Sequence, residues 1–280
     1  MKSILNIVIN YANENEVIAY AQMLEKQSWA EKVSLVVVIN KKSENPITNL
    51  IEELNKINLL IKVYDPKENL GYMNGALYGY RQFIHDNNEI PDWTIISNTD
   101  LAFTDDLFFE KFFSYKYEQD VWCIAPSIFN SNNKTYNNPM YTNRIPLGKI
   151  NRLIFVFEHP LLSLIYITVG KCKAKAKKRL KKNSKFCYAV HGCFFALKNE
   201  FIQLIKDDDY QAFLYSEENY ISELIRYYNK SCYYNSNVEI IHDENSSTGL
   251  LNYKQRAHYS ASSLKYIRNE FYINDKKVRE

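Results

Sequence analysis

Glycine and proline are scarce in this chain, with seven residues of each among 280. That scarcity excludes collagen-like and linker-dominated proteins. The five cysteines form no Cys-x-x-Cys pair and no cluster with histidine at zinc-binding spacing, so neither a disulfide framework nor a zinc finger is expected. An odd number of dispersed cysteines fits a reducing compartment.

Long apolar runs are also missing. The N-terminal run Ile4–Ile9 is too short for a signal peptide, and no small-residue cleavage site follows it. The most apolar window, residues 153–170, is interrupted by Glu158, His159 and Pro160, which makes it a poor membrane-spanning helix. Neither GxGxxG nor a Walker lysine motif occurs, so a dinucleotide site or a P-loop is not supported.

Charge is nearly balanced, with a net value of +3, except in one segment. Residues 171–185 carry nine basic side chains and no acidic one. The remaining chain has 26 basic and 32 acidic residues and is therefore mildly acidic. This distribution argues against a generally basic nucleic-acid binder.

Strand and helix patterns alternate over the first 125 residues, which favours an α/β protein with a largely parallel sheet. Uninterrupted apolar runs predict strands that are buried on both faces. The predicted strands are Ile4–Ile9, Val33–Ile39, Leu59–Val63, Trp93–Ile96 and Val121–Ala125. The predicted helices between them are 14–26, 46–57 and 73–83.

Beyond residue 125 the pattern is less regular. Residues 127–148 are rich in asparagine and aperiodic, which predicts a loop. Further strands are predicted near 186–190, 193–197 and 232–241, and further helices at 217–229 and 251–271. No repeat and no linker divides the chain.

Polar residues follow most of these strands, where ligands of open α/β sheets bind. The sharpest segment is Asn98-Thr99-Asp100, which comes directly after the fourth strand. An amide and a carboxylate two residues apart there predict a site for a hard divalent cation that also holds a diphosphate. The alternative is a simple turn, because Asn and Asp favour turns.

Two later features have a catalytic and a structural interpretation. Glu217 and Glu218 follow Ser216, so they are either first-turn acids behind a helix N-cap or a general base at a cleft. His242 ends an apolar strand, where a histidine is either structural or a ligand.

In this order the motifs resemble family 2 glycosyltransferases of the GT-A fold, especially the rhamnosyltransferase-like branch of bacterial polysaccharide synthesis. The resemblance covers about residues 1–110 and 186–270. It rests on seven motifs and a late helix that contains Tyr259 and Arg268. The motifs are residues 7–11, 36–40, 69–74, 98–100, 191–197, 215–218 and His242 followed by Ser246.

The resemblance implies a Rossmann-like α/β fold with a mixed central sheet flanked by helices and a C-terminal helical region. It implies one domain over 1–250, with a nucleotide-sugar half at 1–125 and a catalytic and acceptor half at 186–250. Residues 151–185 form an insertion, and 251–280 form a C-terminal helix and tail.

The resemblance also implies a set of site residues. The divalent metal, Mn²⁺ or Mg²⁺, is expected at Asp100, His242 and Asn98, and the base is expected to be Glu218 or Glu217. His191 and Gly192 belong to the acceptor side. Donor contacts are expected from Asn10, Tyr11, Asn40, Asn69, Gly71, Asn74, Asn98 and Thr99.

Three positions depart from the family pattern: Asn40 and Asn98 stand where acids are usual, and Glu218 stands where Asp is usual. The Asn40 amide oxygen still accepts a hydrogen bond from a pyrimidine N–H, but base preference stays open. One carboxylate remains for the metal. Thymidine-diphosphate rhamnose is suggested by the branch alone, and UDP-linked hexoses fit the same residues.

The implied activity is inverting sugar transfer to a growing, lipid-linked bacterial surface polysaccharide. The apolar residues of 151–185 lead into its basic residues, an order typical of a monotopic anchor on anionic headgroups. This predicts a cytoplasmic protein at the inner face of the cell membrane. A solvated loop over a partly buried helix is the alternative for this segment.

Two other functions are alternatives to enzymatic transfer. One is an inactive sugar-nucleotide-binding protein of the same fold, because two acidic positions are amides. The other is nucleic-acid binding through residues 171–185, which no recognised motif supports. We therefore expect no nucleic-acid partner.

Overall fold

Four apolar segments of the N-terminal half form the parallel part of the sheet. The computed structural model describes residues 3–41, 47–176, 180–243 and 251–273, with 171–176 described as backbone only. β1 pairs in parallel with β2 and β4, and β2 with β3. The interiors of β1, β2 and β4 are buried, as their apolar runs predict. These strands are β1 (Ile4–Tyr11), β2 (Val33–Lys41), β3 (Leu60–Tyr64) and β4 (Trp93–Ser97).

The rest of the sheet changes strand direction more than once. Its strands are β5 (Leu101–Phe103), β6 (Val121–Asn130), β7 (Thr135–Tyr136), β8 (Lys185–Cys187), β9 (Phe194–Lys198) and β10 (Ser231–His242). The order is β3-β2-β1-β4-β9-β6-β10-β5, with β7 on β6 and β8 on β10. β9 is antiparallel to both β4 and β6, so the sheet is mixed.

Helices cover both faces of the sheet. One face packs against α1 and α4 through side chains such as Val17 and Phe109, and the other against α3, α7 and α8 through side chains such as Leu77 and Tyr220. The helices are α1 (Glu14–Glu25), α2 (Ile47–Leu54), α3 (Gly71–Asn87), α4 (Phe108–Ser114), α5 (Leu147–Glu158), α6 (Pro160–Ala176), α7 (Asn199–Ile205), α8 (Glu217–Tyr227) and α9 (Tyr253–Arg268). A 3-10 turn spans Ala30–Lys32, and a π-helical turn spans Asn269–Ile273.

Helix α3 lies unusually close to the sheet at Gly79. A Cβ atom there would stand 2.7 Å from a Val38 methyl and 3.0 Å from a Val36 methyl. Only glycine allows this approach without a shift of α3. The glycine therefore fixes the height of α3 above β1 and β2, and with it the turn that begins α3.

The C-terminal helix forms a smaller core with α5. Ile150, Leu153 and Ile154 of α5 pack with Leu264 of α9. No single helix in the described residues is long and apolar enough to span a bilayer, whereas α5 and the first part of α6 together have that length and composition but meet at 113°.

The prediction of a loop over 127–148 is confirmed for 131–134 and 137–146 but is wrong for 127–130, 135–136 and 147–148. β6 continues to Asn130, β7 follows at Thr135–Tyr136, and α5 begins at Leu147. Two of the asparagines that suggested a loop are buried in specific pairings: the Asn138 amide donates to the Pro126 carbonyl at 2.8 Å, and the Asn130 side chain accepts from the Asn133 N–H at 2.9 Å. Composition alone does not distinguish such satisfied asparagines from exposed ones.

The other predicted boundaries are close to those observed. Helices α4 and α7 had not been predicted, because seven residues are too few to display a helical period. The predicted helix start at Pro46 lies outside the described residues, as do Ser246 and the tail 274–280.

Candidate active site

The topology brings the predicted site segments to one edge of the sheet. β1, β2, β4, β6 and β10 all end there, and the reversed β9 begins there. The residues that precede β9, His191 to Cys193, therefore join those that follow β1, β2 and β4. β5 pairs antiparallel with β10 and sets Leu101 opposite His242. This pairing brings Asp100 next to His242.

Asp100 and His242 form a buried pair. Their side chains are 6% and 5% exposed, and the His242 Nε2 lies 3.3 Å from an Asp100 carboxylate oxygen. Both carboxylate oxygens and both ring nitrogens lack a hydrogen-bond partner. Buried polar atoms normally have partners. A partnerless carboxylate beside an imidazole is a donor set that fits Mn²⁺ or Mg²⁺.

Few side chains at this edge of the sheet can bind a metal ion. Within the described residues, no group of three or more His, Cys, Asp or Glu side chains is arranged to hold a metal ion. Asn98, the third predicted ligand, is an amide two residues before Asp100 and is half-buried. The backbone N–H of Asn98 donates to the Cys193 carbonyl at 2.8 Å, which joins the 98–100 segment to the start of β9. The rest of a cation's coordination shell therefore falls to ligand oxygens or water.

The ionisable groups around the pair interact strongly. Burial disfavours the charged imidazolium of His242, but Asp100 and Cys193 outweigh burial and raise the pKa of His242 to about 11. Burial also opposes ionisation of the Cys193 thiol, and the neighbouring His191 and His242 lower its pKa to about 7. The carboxylate, imidazole and thiol groups at this edge of the sheet therefore shift one another's pKa.

Thr99 does not share the position of Asp100. Its hydroxyl donates to the Glu16 carboxylate at 3.1 Å and accepts from the Asn13 amide at 2.7 Å. Both partners belong to the start of α1. Thr99 therefore anchors the 98–100 turn to α1, and its predicted donor contact stays a prediction.

Asn40 presents an unused acceptor at the same edge. Its amide nitrogen donates to the Gly71 carbonyl at 2.6 Å, whereas its side-chain oxygen is buried without a partner. Gly75 stands so close that a Cβ there would lie 3.4 Å from both amide atoms. The nitrogen's bond fixes which end of the amide is free. Asn40 is therefore oriented to accept a hydrogen bond, as its predicted role requires.

The turn before α3 is built around Gly71. Its φ is +77°, and its N–H donates to the Asn69 side chain at 3.0 Å. A Cβ at Gly71 would stand 2.3 Å from the Phe213 carbonyl oxygen, so any larger residue collides with the loop 206–216. Gly71 and Asn69 thus form the turn against which the loop 206–216 packs.

Asn74 fixes the same loop. Its amide donates to the Asp209 carboxylate and to the Tyr210 carbonyl, both at 3.1 Å, and accepts from the Tyr210 N–H at 2.8 Å. Every polar atom of its side chain is engaged with the segment that leads to α8. The structure gives Asn74 a positioning role, and the predicted donor contact is not tested by it.

Asn10 is bonded to other parts of the chain, as Asn74 is, whereas the ring of Tyr11 lies near Lys41. The buried Asn10 amide accepts from the Asn13 N–H at 3.1 Å and donates to Glu14 at 3.1 Å and to the Lys41 carbonyl at 3.4 Å. It joins the ends of β1 and β2. Tyr11 is half-buried, and the Lys41 ammonium lies 5.0 Å from the centre of its ring.

The two acidic residues at the start of α8 point to different partners. One Glu217 carboxylate oxygen accepts from the Tyr215 N–H at 3.0 Å, and the residue is 7% exposed. Glu218 is half-buried, and its Oε2 would lie 3.5 Å from a Cβ atom at Gly192. Glu218 thus faces the segment before β9, whereas the Glu217 side chain accepts a hydrogen bond from the backbone just before α8. Burial raises the pKa of Glu218, which His191 partly offsets.

The chain reaches these two residues through strained backbone. Tyr215 and Ser216 have φ values of 71° and 63°, a region that costs most residues free energy and that clusters at functional sites. Ser216 is the N-cap, as predicted, but its hydroxyl caps nothing. It bonds to the Ser263 hydroxyl of α9 at 3.1 Å and thereby ties the start of α8 to the C-terminal helix.

His191 and Gly192 lie between Glu218 and the Asp100–His242 pair. The backbone N–H of His191 donates to the Asn138 side chain at 2.7 Å. The His191 ring lies 6.0 Å from the His242 ring. The Tyr72 hydroxyl donates to the Gly192 carbonyl at 3.1 Å. Tyr72 and Asn138 had not been predicted. Tyr72 lies inside the glycine-containing motif, whereas Asn138 lies in the stretch interpreted as a loop.

Glu217 makes the stability of the protein depend on pH. Burial and the neighbouring Glu218 raise the pKa of Glu217 from 4.5 to about 8. Between pH 4.5 and about 8, Glu217 holds a proton in the folded chain and releases it in the unfolded chain. The free energy of unfolding therefore falls as pH rises through this range. We expect a loss on the order of 2 kcal/mol between pH 5 and pH 8 in urea unfolding. The Glu217→Gln variant keeps the acceptor for Tyr215 and should lose less, whereas equal losses in both proteins would contradict this assignment.

Comparison with known proteins gives likeness in structure only. No protein-family model and no curated protein matches the sequence. A structure of GalNAc-T7 with UDP, GalNAc and Mn²⁺ matches with a TM-score of 0.60 and 12% identity over 96% of this chain. A mannosyltransferase from Pyrobaculum calidifontis with GDP-Man and Mn²⁺ matches with a TM-score of 0.55 and 9% identity over 98% of this chain.

These likenesses confirm the predicted fold. The chain has a mixed α/β sheet flanked by helices, the GT-A architecture of these glycosyltransferases. It spans 50% of the length of the first protein and 76% of the second. At this identity the likeness establishes the fold, while the chemistry must be argued from the residues at the sheet edge.

Proposed function

We propose that this chain is a metal-dependent glycosyltransferase that moves a sugar from a nucleoside-diphosphate donor to an acceptor hydroxyl. The observation that carries the proposal is the buried Asp100 carboxylate, partnerless and 3.3 Å from His242, at the edge that Glu218 also faces. The fold supports it, since two proteins of the same architecture were crystallised with Mn²⁺ and a nucleotide or nucleotide sugar.

Asp100 and His242, with Asn98, would hold the divalent cation. A bound Mn²⁺ or Mg²⁺ supplies positive charge that neutralises the leaving diphosphate. The ligand atoms are buried, and a bound cation would replace the close contact between Asp100 and His242. The nucleoside lies, in this proposal, along the ends of β1 and β2, with the unused Asn40 oxygen accepting an imino N–H from the base and Tyr11 offering an aromatic surface.

Glu218 is the general base of the proposed reaction. Its carboxylate faces Gly192 and His191, so an acceptor hydroxyl placed there would give its proton to Glu218 while the oxygen attacks the anomeric carbon. Attack from the face opposite to the diphosphate inverts the configuration at that carbon. We favour Glu218 over Glu217 because one Glu217 carboxylate oxygen already accepts from the Tyr215 N–H.

The finer identity of the substrates follows from the sequence resemblance. We propose a hexosyl or rhamnosyl donor, and an acceptor on a growing, lipid-linked surface polysaccharide. Asn40 favours a base with an imino N–H, which uracil, thymine and guanine share. The described residues do not choose among these bases.

A second candidate is an inactive sugar-nucleotide-binding protein. Asn40 and Asn98, amides where acids are usual, favour it, because they leave Asp100 as the one carboxylate at the metal site among the described residues. The pair of Asp100 with His242 and the oriented Glu218 favour the enzyme, since a binding protein needs no base on the acceptor side.

A donor-cleavage assay separates the two candidates. Purified protein is incubated with UDP-, TDP- and GDP-sugars in Mn²⁺ or in EDTA, and release of nucleoside diphosphate is measured. The enzyme proposal predicts slow, Mn²⁺-dependent release from at least one donor, with water as the acceptor. Tight binding of a donor without any release, even with added sugar acceptors, would support the binding protein instead.

A further inference from the structure

Helix α6 exposes apolar side chains over almost its whole described surface. From 161 to 170, Ser163 is the one buried residue, and Leu161 and Ile165 are 77% and 58% exposed. Soluble proteins rarely leave a continuous apolar surface of this kind uncovered. We name it the α6 surface; its residues are Leu161, Leu162, Leu164, Ile165, Tyr166 and Val169.

The α6 surface is held away from the sheet by α5. The inner side of α5 packs on α9 through Ile150, Leu153 and Ile154, and α6 leaves α5 at 113°. The Phe157 ring meets the edge of the Tyr166 ring at 5.5 Å, and the Lys265 ammonium of α9 pairs with the Glu158 carboxylate. These contacts fix the start of α6, and the apolar side chains of the α6 surface nevertheless stay between 39% and 77% exposed.

The apolar part of α6 is too short to span a bilayer by itself. Residues 160–170 would extend about 16 Å as a helix, roughly half of the hydrocarbon thickness of a bilayer. The bend prevents α5 from continuing the same axis. An apolar helix of this length lies in a membrane interface or against another protein and does not cross the bilayer.

The sequence that continues α6 determines which of these partners fits. Residues 171–185 carry nine basic side chains and no acidic one, whereas the rest of the chain is net acidic. At the end of this run, the Lys181 ammonium pairs with the Glu239 carboxylate at 2.8 Å, which fastens the run to β10. An apolar surface followed directly by positive charge is complementary to a bilayer with anionic headgroups.

We propose that the α6 surface docks in the interface of an anionic phospholipid bilayer. Such docking places the chain at the inner face of the cell membrane. α6 also packs on α9, whose Ser263 bonds to Ser216 next to Glu217 and Glu218. Helix α9 thus connects the α6 surface with the start of α8. That docking also delivers a lipid-linked acceptor rests on the proposed function, whereas docking itself does not.

Vesicle binding tests the proposal directly. The protein is sedimented with phosphatidylglycerol–phosphatidylcholine vesicles and with pure phosphatidylcholine vesicles, at low and high salt. We expect binding to the anionic vesicles that weakens with salt. Leu161→Glu combined with Ile165→Glu should reduce partitioning by about 100-fold, because two apolar side chains leave the interface.

A matched control replaces exposed apolar residues elsewhere. Ile90 and Leu204 are 56% and 47% exposed, so Ile90→Glu with Leu204→Glu adds the same charge without touching α6. This variant should bind vesicles about threefold more weakly at most, through added charge alone. Both variants should melt within a few degrees of the wild type, which separates lost docking from lost folding.

Three outcomes would overturn the proposal. The first is no binding to anionic vesicles at low salt, and the second is equal loss in both variants. The third is a dimer in sedimentation velocity that Leu161→Glu with Ile165→Glu converts to monomer while vesicles bind neither form, since a second copy would then cover the α6 surface. Donor cleavage is measured without lipid, so its failure and the failure of docking are independent.

Discussion

Replacing Glu218 with glutamine is expected to lower sugar transfer by about 1,000-fold while donor affinity changes by less than about twofold. The substitution keeps the size of the side chain beside Gly192 and removes its ability to take a proton. The metal pair and the Asn40 acceptor are untouched, so the donor still binds. Initial rates of transfer and calorimetric titration of the donor, measured on the same preparation, give both numbers.

Glu217→Gln is the matched control for this prediction. It makes the same chemical change one residue away, and glutamine still accepts from the Tyr215 N–H. We expect transfer to fall by less than about tenfold, through small shifts at the start of α8. If Glu217→Gln were the inactive variant and Glu218→Gln retained near-normal turnover, the base would be Glu217 and the orientation of the pair would not report function.

The second large effect is expected at Asp100. Asp100→Asn removes the buried negative charge that faces His242 and leaves a weak amide ligand in its place. Donor affinity in Mn²⁺ should fall by about 100-fold, and the difference between Mn²⁺ and EDTA should largely disappear. Donor titrations in each condition measure both effects.

Asp106→Asn provides the control for Asp100. Asp106 lies six residues further along the chain, is exposed, and loses the same charge when substituted. It should change donor affinity by less than about twofold, since an exposed charge outside the site is screened. An equal loss in both variants would mean that net charge, and not a metal ligand, governs donor binding.

The convergence of the site at one sheet edge could be predicted from the sequence. Alternating strands and helices imply parallel strands, and parallel strands end together, so residues after β1, β2 and β4 had to meet. The contact of Asp100 with His242 could not be predicted in this way. It depends on the three-residue β5 folding back antiparallel on β10, and such a short strand has no pattern of its own.

The roles of the polar residues were harder to predict than their places. Asn10, Asn74 and Thr99 lie at or beside the site, but their polar atoms join segments of the chain to one another. Asn40 keeps a buried oxygen without a partner. An asparagine at a strand end serves either purpose, and only its surroundings in the folded chain separate the two.

The acceptor side shows the same limit. The sequence left Glu217 and Glu218 equivalent, because both occupy the first turn of a helix. The left-handed backbone at Tyr215 and Ser216 turns one carboxylate towards the Tyr215 N–H and the other towards Gly192. Asn138, which holds His191, came from a stretch whose asparagines suggested a loop. These roles depend on long-range packing that local composition does not encode.

The central claim is that a divalent cation at Asp100 and His242 holds a nucleotide sugar. A thermal-shift screen of UDP-, TDP- and GDP-sugars, each with Mn²⁺, with Mg²⁺ and with EDTA, tests it most directly, since a ligand that binds the folded state raises its melting temperature. We predict that one nucleotide class raises the melting temperature by several degrees, that the rise requires the cation, and that Asp100→Asn abolishes it. A rise of equal size in EDTA, or no rise with any donor in either metal, would contradict the claim.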